Sequence, residues 1–256
     1  MNKEYLERNA KGYEGDTFIH SEIEKLVKVF GVTHIIETGT YKGATAKRLS
    51  EFAAVTSIEF DHTNFSDAIR NTSGMNITVM RGDSAKVLRD VQPGENVLYF
   101  LDAHWQEAWP LLNELEQIKE IGVKPVIIIH DFKVPGKDFG YDSYANVDLD
   151  LNYIQSSLEK IYGAYGYDYH YNEQADGGYR GVIYIYPKKS DLPELKSVYV
   201  DPNIFGIVQI QKELNKMGID GIPIETPEIP SISKIENILP EAPPELKPKR
   251  KYTKRK

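Results

Sequence analysis

The chain has no cysteine among its 256 residues. That excludes disulfides, thiolate zinc sites and a cysteine nucleophile, and it fits a reducing compartment. Long apolar runs are also missing. The longest are strand-sized, far short of the ~20 residues needed to span a bilayer. Met1, Asn2, Lys3 and Glu4 open a polar segment unlike a signal peptide. These absences predict a soluble, cytoplasmic protein. There is no excess of positive charge either: the formal net charge is -7, so nothing global points to a nucleic-acid partner. The charge is uneven, however. Lys247 to Lys256 carry seven Lys/Arg and no acid, so the rest sums to -14 (-7 minus +7).

What is present is enough apolar material for a core, 41% of residues, in a repeating pattern. Ser21-Glu22-Ile23-Glu24 reads as a capping box, followed by Ile23, Leu26, Val27 and Phe30 at helical spacing and a stop at Gly31. Strands are then expected to end at Ile35-Ile36-Glu37 and to cover 55–60, 77–80, 97–101 and 126–129. Helices are expected over 44–52, 62–71 and 84–91, and on the face carrying Ala108, Leu111, Leu112, Leu115 and Ile118. A further helix carries Leu151, Ile154, Leu158 and Ile161. Two last strands, 167–171 and 182–186, flank Gly177-Gly178. Uniformly apolar strands alternating with helices predict a parallel sheet covered on both faces. The short polar connection between the last two strands predicts an antiparallel hairpin. The fold class is therefore α/β, Rossmann-like and doubly wound, with a mostly parallel seven-stranded sheet and an antiparallel C-terminal hairpin. Expected segments are an N-terminal stretch and helix (1–32), the main domain (33–187), an extension with a short helix near 205–217 (188–220) and a Pro-rich, basic-ended, extended tail (221–256). Residues 188–256 hold nine of the fourteen prolines.

Right-handed crossovers put the strand C-termini on one edge, where ligands of such sheets bind. The strongest signal there is Glu37-Thr38-Gly39-Thr40-Tyr41-Lys42-Gly43, an E-x-G-x-x-x-G turn between the first strand and its helix. Gly39 lets a ligand approach the main chain, and Gly43 suits close helix packing. By itself the turn is also compatible with an ordinary tight connection. Glu59 ends the second strand about 20 residues on, where an acid can accept from ribose hydroxyls. Arg81-Gly82-Asp83-Ser84 ends the third. Asp83 is placed to accept from an adenine amino group with Ser84 capping the next helix; either is also a plain N-cap. The third glycine of a pyrophosphate-binding turn is absent, which argues against a dehydrogenase.

Residues 33–186 resemble the class I S-adenosylmethionine-dependent methyltransferases. The E-x-G-x-x-x-G turn is similar to their first motif, Glu59 to the ribose-binding acid, Gly82-Asp83-Ser84 to the adenine segment, and the closing hairpin to theirs. The resemblance implies S-adenosylmethionine as cofactor, held by Glu37, Thr38, Gly39, Thr40, Tyr41, Gly43, Glu59, Asp83, Ser84 and Asp102.

The fourth strand ends Leu101-Asp102-Ala103-His104-Trp105 and the fifth Ile129-His130-Asp131-Phe132. Asp102 and Asp131 are oxygen donors suited to a hard divalent cation; His130 would shift preference toward manganese, iron or zinc. The pair resembles metal-dependent O-methyltransferases of the catechol, caffeoyl-CoA and macrolide-sugar types. There a magnesium ion held by acids at these strand ends holds the acceptor's hydroxyls. The resemblance implies Asp102, His130 and Asp131 as ligands of magnesium or manganese, with His130 departing from the acidic pattern. The catechol-type enzymes use a lysine base shortly after the strand-four Asp, and Gln106-Glu107 stand in that neighbourhood here. His104 is the preferred base, with Asp102 beside it as the second catalytic residue, because imidazole titrates near neutrality; it could equally cap a helix beginning near Glu107. The loop 132–147, with Tyr141 and Tyr144, is expected to be a mobile lid over the acceptor. The implied activity is O-methylation of a small hydroxylated acceptor, a sugar, glycan or natural product. Competing readings are a non-catalytic binding protein on this fold, and a nucleic-acid methyltransferase, which the acidic body and the missing Asn/Asp-Pro-Pro-aromatic motif disfavour. The basic end is expected to meet an anionic partner or to be a solvated terminus. Oligomeric state is not encoded legibly.

Overall fold

The structure, a computed structural model, describes residues 10–104 and 108–189. The expected extension and tail beyond Lys189, including the helix near 205–217 and the basic end, lie outside the described residues, as do Trp105, Gln106 and Glu107. Among the described residues no helix is long and apolar enough to cross a membrane.

The elements in chain order are α1 (Phe18–Phe30), β1 (His34–Thr38), α2 (Ala44–Leu49), β2 (Ala54–Glu59), α3 (His62–Asn71), β3 (Ile77–Arg81), α4 (Ser84–Val87), β4 (Val97–Leu101), α5 (Leu111–Ile121), β5 (Val126–His130), the short pair β6 (Ser143–Tyr144) and β7 (Val147–Asp148), α6 (Leu151–Tyr162), β8 (Tyr167–Tyr171) and β9 (Val182–Pro187). Seven strands form one sheet in the order β3-β2-β1-β4-β5-β9-β8. The first five are parallel, and β9 runs antiparallel to both β5 and β8. This is the expected doubly wound sheet with its closing hairpin.

Alternation along each strand divides the core in two. Ile36, Ile58, Tyr99, Leu101, Ile127 and Ile129 face α5 and α6. Ile35, Val55, Leu98, Phe100, Val126 and Ile128 face α1 and α2. Strands β4 and β5 are buried throughout, which is why they read as unbroken apolar runs.

Some local expectations are corrected. The capping box is not used: α1 starts at Phe18, and Ser21 lies inside it, donating its hydroxyl to the Phe18 carbonyl. The helix start is instead satisfied by Asp16, which accepts from the backbone N–H of Phe18 and Ile19 at 2.8 and 3.3 Å. Helix α2 ends at Leu49, and α5 begins only at Leu111, so Ala108 precedes it and His104 does not cap it. Ser84 does not cap α4 either; its hydroxyl is committed elsewhere. The loop after β5 is anchored rather than loose. Phe132, Val134 and Phe139 are buried in it, Gly140 exchanges backbone hydrogen bonds with Tyr179 and Gly181, and β6 pairs with β7.

Candidate active site

Register places the site. Thr38 pairs with Ile58 and with Leu101, Glu59 with Arg81, and Leu101 with Ile129. The residues following these positions therefore share one edge. The sheet order reverses between β1 and β4, the point at which ligands enter such folds. There Gly39 has a φ of 85°, and a Cβ on it would lie 2.5 Å from the Asp102 carbonyl oxygen. Two constraints, left-handed backbone and close approach, thus require glycine.

An open cleft lies over this point. Gly39, Tyr41, Glu59, Phe60, Gly82, Ser84 and the segment Asp102-Ala103-His104 line it. Glu59 is fixed from below, its two oxygens accepting from the backbone N–H of Tyr41 and Asp61 at 2.7 Å each. Burial pushes its pKa up against those two bonds.

Glu37, Thr38 and Thr40 are in a second layer. They are 1%, 0% and 2% exposed and do not line the cleft. The Ser57 hydroxyl bonds both the Glu37 carboxyl and the Thr40 hydroxyl, while the other Glu37 oxygen has no hydrogen-bond partner. Burial, against the Ser57 bond and with the charges of Asp102 and Glu59 adding, pushes the Glu37 pKa up to about 8. Gly43, also away from the cleft, packs against Thr72 and Ala68 of the α3 end. Asp83 sits at the start of α4 without a side-chain cap; one oxygen meets Lys86 at 3.0 Å and the other is buried and unpaired.

A smaller pocket shares Asp102, Ala103 and His104 with the first and continues to Trp109, His130, Asp131 and Asp142. His104 is exposed where the two meet. His130 is 2% exposed, and its Nδ1 lies 3.2 Å from Asp102 Oδ1 and 3.1 Å from Asp131 Oδ1. Burial alone would lower the His130 pKa, but the two carboxylates together raise it well above the ordinary value. Asp131 has a left-handed backbone, φ 59°. Burial works against its charge, yet His130 and Arg180 hold its pKa low. One ligand atom from each of Asp102, His130 and Asp131 lies within 4.8 Å of the others.

Three contributors were not foreseen. Arg180, on the β8–β9 connection, bonds Asp131 through Nε and Asp142 through its terminal nitrogen at 2.6 Å. It carries no pattern of its own; only the fold brings 180 to 131. Glu14 lies in a turn where Gly12, Tyr13, Glu14 and Gly15 all have positive φ. Its side chain rests on Gly178. Burial raises its pKa, His130 opposing and Asp131 and Asp102 adding. Glu114, fully buried on α5, bonds the Ser84 hydroxyl. Its signal was available: it stands three residues after Leu111 and four before Ile118, on the apolar stripe.

Sheet order, the antiparallel β9 and the cleft over the β1–α2 turn define the class I methyltransferase fold. Solved structures agree. An O-methyltransferase from Bacillus cereus in complex with S-adenosylhomocysteine is 18% identical, with a TM-score of 0.53 over 73% of this chain and 92% of that one. The O-methyltransferase TomG from Streptomyces achromogenes, involved in tomaymycin synthesis and solved with S-adenosylmethionine, is 14% identical. Its TM-score is 0.52 over 74% of this chain and 92% of that one. No sequence-family profile and no curated protein sequence matches the chain.

Proposed function

We propose that this protein is an S-adenosylmethionine-dependent methyltransferase acting on a hydroxyl of a small acceptor, a sugar or glycan hydroxyl foremost. The reading rests on one arrangement: two adjoining pockets joined along Asp102-Ala103-His104. The larger takes the cofactor. Glu59, which only accepts when ionised, keeps lone pairs for the ribose hydroxyls. Gly39 passes the amino-acid end. Asp83 stands between the cleft-lining Gly82 and Ser84 and is assigned to the base; its unpaired oxygen is buried and has to turn toward the cleft to reach it. The smaller pocket has room for the reacting hydroxyl alone, beside Trp109, and the rest of the acceptor would extend outside it.

Transfer is an in-line displacement. The acceptor oxygen bonds the methyl carbon as the carbon–sulfur bond breaks, and the electron pair stays on sulfur. The chain has to align the partners and remove the hydroxyl proton. His104, exposed at the seam, is the base in this proposal.

Asp102, His130 and Asp131 also fit a divalent cation. The 3.2 and 3.1 Å separations of Nδ1 from the two carboxylate oxygens are also hydrogen-bond distances, so His130 would have to give up its proton to hold an ion there. The mixed nitrogen and oxygen set suits manganese. Such an ion would bind and polarise an acceptor hydroxyl. Arg180 holds Asp131 in place for that role.

The test is S-adenosylhomocysteine release with vicinal-diol acceptors, in manganese, magnesium or chelator. Turnover that chelator suppresses is expected, with kcat lowered about 100-fold or more in His104→Ala. Cofactor binding without turnover on any hydroxyl acceptor would favour a binding protein on this fold.

A further inference from the structure

Glu114 is a charged residue that none of the roles above uses. It is 0% exposed, and burial, against its bond from Ser84, pushes its pKa up to about 7. A carboxyl in an apolar layer is costly without partners, so its contacts are informative. One oxygen accepts from the Ser84 hydroxyl. The other faces Thr38 without the geometry of a hydrogen bond, and it has no partner. Ser84 is 5% exposed and lines the cofactor cleft beside Gly82, on the wall shared with the exposed ring of Phe60.

Direction follows from donor chemistry. A carboxylate only accepts, so the single Ser84 proton points inward to Glu114. If Glu114 carries a proton, the unpartnered oxygen facing Thr38 is the one free to hold it, and the oxygen facing Ser84 still accepts. In both states the Ser84 lone pairs are left for the cleft, and its hydroxyl is an acceptor there. At position 6 adenine offers an N–H donor, whereas hypoxanthine offers a carbonyl oxygen, its donor on that edge having moved to N1.

We propose that Glu114 is a positioning residue for base selection, fixing the Ser84 hydroxyl as an acceptor that admits adenine and rejects hypoxanthine. This rests on the cofactor reading above. Glu114 touches neither the methyl group nor the acceptor; it acts through Ser84.

The test is titration calorimetry on the full chain with S-adenosylhomocysteine and its deaminated counterpart, in which oxygen replaces the 6-amino group. An unpaired or opposed buried polar group at the base edge predicts preference for the amino form by about 10- to 100-fold. Glu114→Gln keeps that preference, since its amide oxygen can accept from Ser84 and its amide nitrogen can face Thr38. Glu114→Leu and Ser84→Ala each cut that preference at least about threefold, the remainder being owed to Asp83. The ratio of affinities isolates orientation from general damage, which would weaken both ligands alike. Unchanged discrimination in Glu114→Leu, with wild-type binding intact, overturns this inference alone. Wild-type protein that binds neither ligand overturns the cofactor reading with it.

Discussion

Glu37 makes stability depend on pH in a calculable way. Its pKa moves from an unfolded value near 4.5 up to about 8 in the fold. A raised carboxyl pKa stabilises fully below the unfolded value and loses that contribution as pH rises through the folded value. Between pH 6 and pH 9 the loss from this one group is about 3 kcal/mol, at 1.36 kcal/mol per pKa unit. Glu37→Gln removes the titration. The amide oxygen still accepts from Ser57, and the amide nitrogen replaces an oxygen that has no partner. At pH 6 the variant should be equal to wild type or about 1 kcal/mol less stable. At pH 9 it should be the more stable protein. For a domain of this size the change in the difference is about 6–12 °C in Tm. Thermal unfolding of both proteins without cofactor, at several pH values from 6 to 9, reads it directly. Glu114 titrates in both and cancels in the comparison. Parallel Tm curves would refute the burial argument for Glu37.

Gly39→Val should abolish S-adenosylhomocysteine binding, because any Cβ there meets the Asp102 carbonyl at 2.5 Å in a left-handed conformation; calorimetry with a folding check by circular dichroism tests it. Arg180→Ala leaves Asp131 and Asp142 without their cation. It should lower stability by about 1–3 kcal/mol, less than a fully buried pair because the side chain is 24% exposed. It should also open the 132–147 loop to limited proteolysis, and an unchanged digestion pattern would count against that anchoring role.

The sheet was legible because its strands are short apolar runs punctuated by helical periodicity, and the edge was legible because Glu59 ends its strand and Gly39, Gly82 and Asp102 each directly follow one. The carboxyl–imidazole group of Asp102, His130 and Asp131 could be read from adjacency of β4 and β5. Arg180 could not, since its partner is 49 residues away and no local pattern marks the pairing. The start of α1 was misplaced for a similar reason. Asp16 caps it while also accepting from the backbone N–H of Asp176 at 3.2 Å, so tertiary contact overrode a good local capping box. The loop after β5 looked mobile from its glycines, but Gly140 and Gly181 are where the backbones approach closely enough to bond. Glu114 was the missed signal that sequence did contain.

The cleft over Gly39 is the expected binding site for S-adenosylmethionine. Titration calorimetry of the full chain with S-adenosylmethionine tests it most directly, run beside Asp83→Ala. One-site binding in the micromolar range is expected, weakened at least about tenfold in the variant by loss of a charge-assisted bond to the base. Absence of heat and of any shift in Tm with saturating cofactor would contradict it.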